Sequence, residues 1–274
     1  MNLIPLAVYV GAAIAYIVHF VSRSGPAGRV ATVILVFGVL THTFVIGMQT
    51  MQVGHVPFVG TTGAISAFVW LLALAYLYTE MTTEERAMGV FIVPLMVALQ
   101  IIPAISNSVA MRPPVLESPW FAIHVSSLLF AYASLALACV IGVTYMLLFN
   151  ELKAKHLGFF YARLPSLQVL DVMNHRAVTV GWLFLTVGLV VGAIWLIQVQ
   201  PSTADSRVQA MSLFDPKIFI VLLCWGVYSF ALYARRTIGW GGKRAAWLST
   251  IGFVIVLLNF VAIGYFVTPS HNFY

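Results

Sequence analysis

Eight apolar runs, each of roughly 20 residues, constrain this chain more than any motif does. They lie at 3–22, 30–48, 59–79, 88–105, 120–148, 177–198, 217–234 and 247–267. None contains Asp, Glu or Arg, and the one Lys among them is Lys217, at the lip of the seventh. A run of this length crosses hydrocarbon as an α-helix, because a helix satisfies its own backbone polar groups where no water can. Composition agrees: 61% of the 274 residues are hydrophobic and 8% are charged, against about 25% charged in soluble domains. The connections are too short for a soluble domain. The chain reads as an all-α integral membrane protein, one polytopic domain over 1–274 with eight transmembrane helices, in the cell (inner or plasma) membrane. The first run reads as a span and not a cleaved signal, since no basic residue precedes it and no small-residue cleavage site follows.

Basic residues orient the bundle. With the N-terminus outside, eleven of the 14 Lys and Arg fall in inner connections: Arg23, Arg29, Arg86, Lys153, Lys155, Arg163, Arg176, Arg235, Arg236, Lys243 and Arg244. Only Arg112, Arg207 and Lys217 fall outside. The positive-inside bias then puts both termini outside. It also explains the net charge of +6 without nucleic acid. The two cysteines, Cys139 and Cys224, sit singly inside apolar runs. No C-x-x-C redox or haem-attachment pair is present.

With carboxylates absent from the spans, the histidines are the candidate chemical groups. Membrane spans that carry ion-coupled transport usually keep ionisable groups along the path. His156 and His175 fall in the inner connection, His19 near the inner end of the first run, and His55 in the first outer loop. His124 lies about one turn into the fifth run from the outer face, and His271 follows the last run on the same side. Two neutral imidazoles can hold a haem iron between them; either residue alone is equally an interfacial side chain satisfied by a carbonyl. His42 sits within the second run, where a histidine marks a functional site or an interhelical hydrogen bond.

Other features are structural on their own chemistry. Trp120 and Trp247 stand at run ends as belt residues, whereas Trp195 and Trp225 approach the outer half and could floor a pocket. Gly188 and Gly192 form a G-x-x-x-G, with Gly181 seven residues before, which permits close helix packing or access of a planar ligand to backbone. After Pro165, the spacing of Leu167, Leu170 and Met173 predicts a short amphipathic helix lying in the interface ahead of the sixth run. Asp215 and Pro216 are a helix start, as N-cap and first helical residue. No Ser-His-Asp set, carboxylate pair or phosphate loop suggests catalysis.

Several stretches resemble the CcsA/CcmC-type cytochrome c assembly proteins. "LPSLQVLDVMNHRAVTVGWLFLTVGLVVGAIWL" (164–196) is similar to that family's Leu-Pro-Ser-Leu, Leu-Asp and Gly-Ala-Ile-Trp segment. "GHVPFVGTTGAISAF" (54–68), "FDPKIFIVLLCWGVYSFALYAR" (214–235) and the closing "SHNFY" resemble further family segments in the same order, over roughly 40–274. The resemblance implies non-covalent haem b between His124 and His271, beside an outer platform closed by Asp215 and the following Trp225, with His42 matching a histidine within the membrane. It implies presentation of haem outside, to a cytochrome c assembly partner that brings the apocytochrome thiols, with this chain a non-catalytic component. Phe214 and Ile218 replace the Trp and Glu that flank Asp-Pro-Lys in the family, and the outer segment 200–219 holds no tryptophan. In size the chain resembles the compact HemX/YpjD-like branch. That implies an alternative role as regulator of haem biosynthesis, acting on a synthesis enzyme through the inner basic connections. A third role is transport of a small amphipathic molecule.

Overall fold

The computed structural model describes residues 1–58, 60–106, 118–155, 158–199 and 216–258. Among them are eight helices, one in each apolar run, and no strand: α1 (Leu3–Ser22), α2 (Gly25–Val53), α3 (Gly60–Thr83), α4 (Gly89–Ile105), α5 (Pro119–Lys153), α6 (Leu167–Val199), α7 (Pro216–Tyr233) and α8 (Lys243–Leu258). Six are long and apolar enough to cross a membrane: α1, α2, α3, α5, α6, and α7 with the π-helical turn Ala234–Ile238 that continues it. The chain is a multi-pass membrane protein. Helix α4 has 17 residues, and the described part of α8 has 16.

Local chemistry explains several boundaries. Ser24 caps α2 by accepting from the Ala27 N–H, with a proline in the first turn. Gly54, at φ +77°, closes α2 in the left-handed region that glycine enters without strain. The described part of α7 begins at Pro216. Asp215 itself lies outside the described residues, as do Phe214, His156 and His271.

Helix α5 is the centre of the bundle. It packs against α3, α6 and α8, and small residues such as Ala131, Ala133, Ser134, Ala136 and Ala138 are buried along it. Small side chains bring helix axes close where no hydrophobic effect drives association. At Gly142 an added Cβ would crowd Ser249 Oγ and the Ala246 carbonyl of α8. Helices α1, α3 and α4 form the other half of the core, around fully buried Tyr9, Tyr16, Tyr76, Met88, Ile92 and Met96.

Two expectations need correction. The interfacial helix ahead of the sixth run does not exist as a separate element: α6 runs unbroken for 33 residues from Leu167. Leu170 and Met173 are fully buried, so the apolar stripe faces the bundle and not the membrane surface. No glycine or proline between Leu167 and Arg176 would end the helix. The spans are also not free of buried acid. Glu80, in the last turn of α3, is 2% exposed. Tyr16 donates to it at 2.6 Å, Thr32 also donates to it, and Arg86 lies 3.8 Å away. The carboxylate is tolerated because hydroxyls of α1 and α2 and one guanidinium surround it.

The basic end of the bundle is pinned by polar contacts. Arg235 makes a bidentate pair with Asp171 at 2.9 and 2.7 Å, and the Gly242 N–H donates to the same carboxylate at 2.7 Å. Asp171 therefore holds the ends of α6, α7 and α8 together. One turn on, Asn174 donates to the Ala138 carbonyl at 2.7 Å and to Ser249 Oγ at 2.9 Å, joining α5, α6 and α8. Arg176 reaches the Thr82 carbonyl of α3 at 2.7 Å. Asp171→Ala leaves the Arg235 fork and the Gly242 N–H unpaired and is expected to cost about 1–3 kcal/mol. Arg236→Ala, at an exposed residue, should stay within about 0.5 kcal/mol. Thermal unfolding of the detergent-solubilised variants checks the difference.

Candidate functional site

The α5–α6 seam is built from notches on one helix and knobs on the other. A Cβ added at Gly181 would run into Leu135, one at Gly188 into Leu128, and one at Gly192 into the ring of His124. Each step up α6 is matched by an equal step down α5, as an antiparallel pair requires. The next station keeps the register: Trp195 meets Phe121, with ring centroids 5.3 Å apart. The G-x-x-x-G is thus a packing motif whose upper notch receives a histidine.

That notch fixes the chemistry of His124. Its Nδ1 lies 2.7 Å from the Gly188 carbonyl oxygen. A carbonyl only accepts, so Nδ1 carries the proton and donates. The lone pair is then on Nε2, for which the described residues provide no hydrogen-bond partner. A carbonyl on one ring nitrogen that leaves the other free to bind is the arrangement in which metal-ligating histidines are held. His124 is half-buried, on the second turn of α5 from Pro119, at the end opposite the basic turns.

The other candidates fall elsewhere. His42 is fully buried between α1 and α3, with Nδ1 hydrogen-bonded to Tyr9 Oη at 3.1 Å and Nε2 to Ser66 Oγ at 2.9 Å. The Tyr9 ring meets it edge-on at 5.7 Å. Both imidazole nitrogens are partnered, so a metal would have to displace one hydroxyl. Trp225 lies in the α6–α7 contact, stacked on Trp182 at 6.4 Å, and its indole N–H donates to Thr186 at 2.9 Å. Trp182 donates to Ser229 in the reverse direction at 2.7 Å. These two indoles cross-link α6 and α7. His271 and Asp215, outside the described residues, have no geometry to compare.

Two of the remaining described histidines make local contacts. His19 Nδ1 donates to the Ser24 carbonyl at 2.9 Å across the α1–α2 turn, and His55 Nδ1 to the Val56 carbonyl at 3.1 Å. No cluster of three His, Cys, Asp or Glu among the described residues could hold a metal alone. Sequence reasoning missed two groups: the Glu80 cluster, and the indole N–H of Trp195, buried without a partner. For the second, the sequence marked Trp195 as a residue that could floor a pocket, without its orphaned N–H.

Comparison with known proteins covers nearly the whole chain. The family model for cytochrome c assembly proteins matches residues 2–268. The chain is 24% identical to the cytochrome c biogenesis protein CcsA of Guillardia theta over 254 residues, which span 85% of this chain and 82% of that protein. It is 27% identical to CcsA of Heterosigma akashiwo over 239 residues, 74% of this chain and 72% of the relative. With CcsA of Synechococcus sp. strain CC9605 the identity is 26% over 279 residues, 92% of this chain and 89% of the relative. The chain belongs to the cytochrome c assembly protein family.

Proposed function

We propose that this protein handles haem in cytochrome c biogenesis, as a single membrane domain of eight spans with both termini outside. It binds haem b non-covalently at the outer end of the α5–α6 seam. The observation that carries this reading is the His124–Gly188 hydrogen bond, which puts the proton on Nδ1 and leaves the Nε2 lone pair with no partner among the described residues. His271, which follows the eighth run, is the second axial ligand. Asp215, next before α7 in the sequence, and Trp225 are the further residues of the proposed site. His42, with both nitrogens engaged, belongs to the helix-packing network.

Two further observations fit haem. Gly192 supplies a notch that a Cβ would fill, so the imidazole sits against backbone. Trp195, one turn farther along the same seam, buries an indole N–H that has no acceptor among the described residues. When bound, haem supplies the iron and the vinyl groups that become attached to apocytochrome thiols. This chain's own contribution is to hold and orient: the Gly188 carbonyl sets the ring tautomer, and the seam fixes the ring plane. This chain sits in the cell (inner or plasma) membrane, and an assembly partner brings the apocytochrome thiols to the haem. The eleven basic residues assigned to the inner connections favour the outer placement of His124.

Purified protein loaded with haem b should show a low-spin bis-imidazole Soret spectrum. His124→Ala should lose that form, while His42→Phe should keep it. An unchanged spectrum in His124→Ala overturns the assignment. In cells, loss of the gene should remove c-type cytochromes while haem precursors stay level; the opposite pattern favours a regulator of haem synthesis.

Gly192→Ala supplies a subtler check. The added methyl overlaps the His124 ring, and relieving it costs about 1–3 kcal/mol. Haem titration should show weaker binding for this variant. Gly226→Ala, where a Cβ meets nothing within 4 Å, should bind as the parent does.

A further inference from the structure

Trp195 differs from three other tryptophans of the bundle. The indole N–H groups of Trp70, Trp182 and Trp225 donate to Thr43, Ser229 and Thr186 at 2.9, 2.7 and 2.9 Å. Each of those rings is half-buried. Trp195 is more buried, at 4% exposed, and its N–H has no acceptor among the described residues. An indole N–H can only donate. A donor sealed from water without a partner is costly, and buried polar groups in folded proteins are nearly always paired.

Its position in the seam says what kind of group would pair it. Trp195 follows Gly192 by three residues, about 4.5 Å along the helix axis, and packs on Phe121, which precedes His124 by three residues on α5. The orphan donor thus lies one station beyond the imidazole, toward the end of α6. A ligand whose metal sits on His124 Nε2 must place an oxygen acceptor at that level. Among the parts of haem, only the propionate carboxylates are such acceptors. They also belong at the membrane surface, the direction in which Trp195 lies from His124.

We propose that Trp195 Nε1 donates to a haem propionate, making Trp195 a positioning residue that sets which edge of the macrocycle faces out. The inference rests on the haem reading above. The carboxylate displaces atoms now packed over the indole and supplies the missing acceptor.

The test compares haem with its dimethyl ester, in which the propionates carry no charge, in the parent and in Trp195→Phe. Haem should bind the variant about tenfold more weakly, the effect of one hydrogen bond to a charged group. The ester, whose carbonyls accept only a weaker, neutral hydrogen bond, should lose clearly less than haem does, and the Soret position should not move, because iron ligation is intact. A benzothiophene side chain at position 195 fills the same space without an N–H and should reproduce the result. Equal loss for haem and ester means a packing role and overturns the proposal, as does no loss for either. If instead His124→Ala leaves the haem spectrum unchanged, the haem reading fails first, and this inference with it.

Discussion

Close approach of α5 to α6 is the constraint on which the site depends. It is set by absent side chains: at Gly181, Gly188 and Gly192 a Cβ would collide with Leu135, Leu128 and His124. In hydrocarbon such notches replace the hydrophobic effect as the source of helix association. The approach also brings the Gly188 carbonyl within 2.7 Å of His124 Nδ1. One backbone oxygen then decides which ring nitrogen carries the proton, and so which can bind iron. Packing and chemistry share the same atoms, which is why a methyl group at Gly192 should be felt by a ligand it never touches.

Both ends of the bundle are pinned. At the basic end, polar contacts span several helices: Asp171 with Arg235 and Gly242, Asn174 with α5 and α8, and Glu80 among Tyr16, Thr32 and Arg86. Such pins resist sliding, because each partner left behind would be a polar group in hydrocarbon. Toward the other end Asn2 joins the start of α1 to Gln49 of α2 and Pro103 of α4, His42 is held by two hydroxyls, and His124 donates to Gly188.

Much of this was legible in the sequence. In their described residues the eight apolar runs are helical, because a run of that length has few other ways to satisfy its backbone. The glycines of the sixth run were read as a packing motif, and the structure shows which residues they receive. What escaped was what pairing decides. Leu167 to Arg176 looked interfacial because periodicity gives a stripe, not its direction, and Leu170 and Met173 turned out to face the bundle. Glu80 looked like a loop residue one position past a run, yet the helix continues and buries it. His42 could be a ligand or a hydrogen-bond hub by sequence; its two hydroxyl partners are 33 and 24 residues away. Trp195 was a pocket candidate, but its orphaned N–H emerges only when every neighbour is placed.

The tautomer of His124 is the most direct test of the account. Solid-state NMR of the protein with ¹⁵N-labelled histidine, in lipid bilayers and without haem, distinguishes a protonated Nδ1 from a protonated Nε2, with His124→Ala identifying the resonance. The account predicts a proton on Nδ1 and a bare Nε2, and a large shift or loss of that Nε2 signal when haem is added. A proton on Nε2, or a bare Nε2 whose signal haem leaves in place, would contradict it.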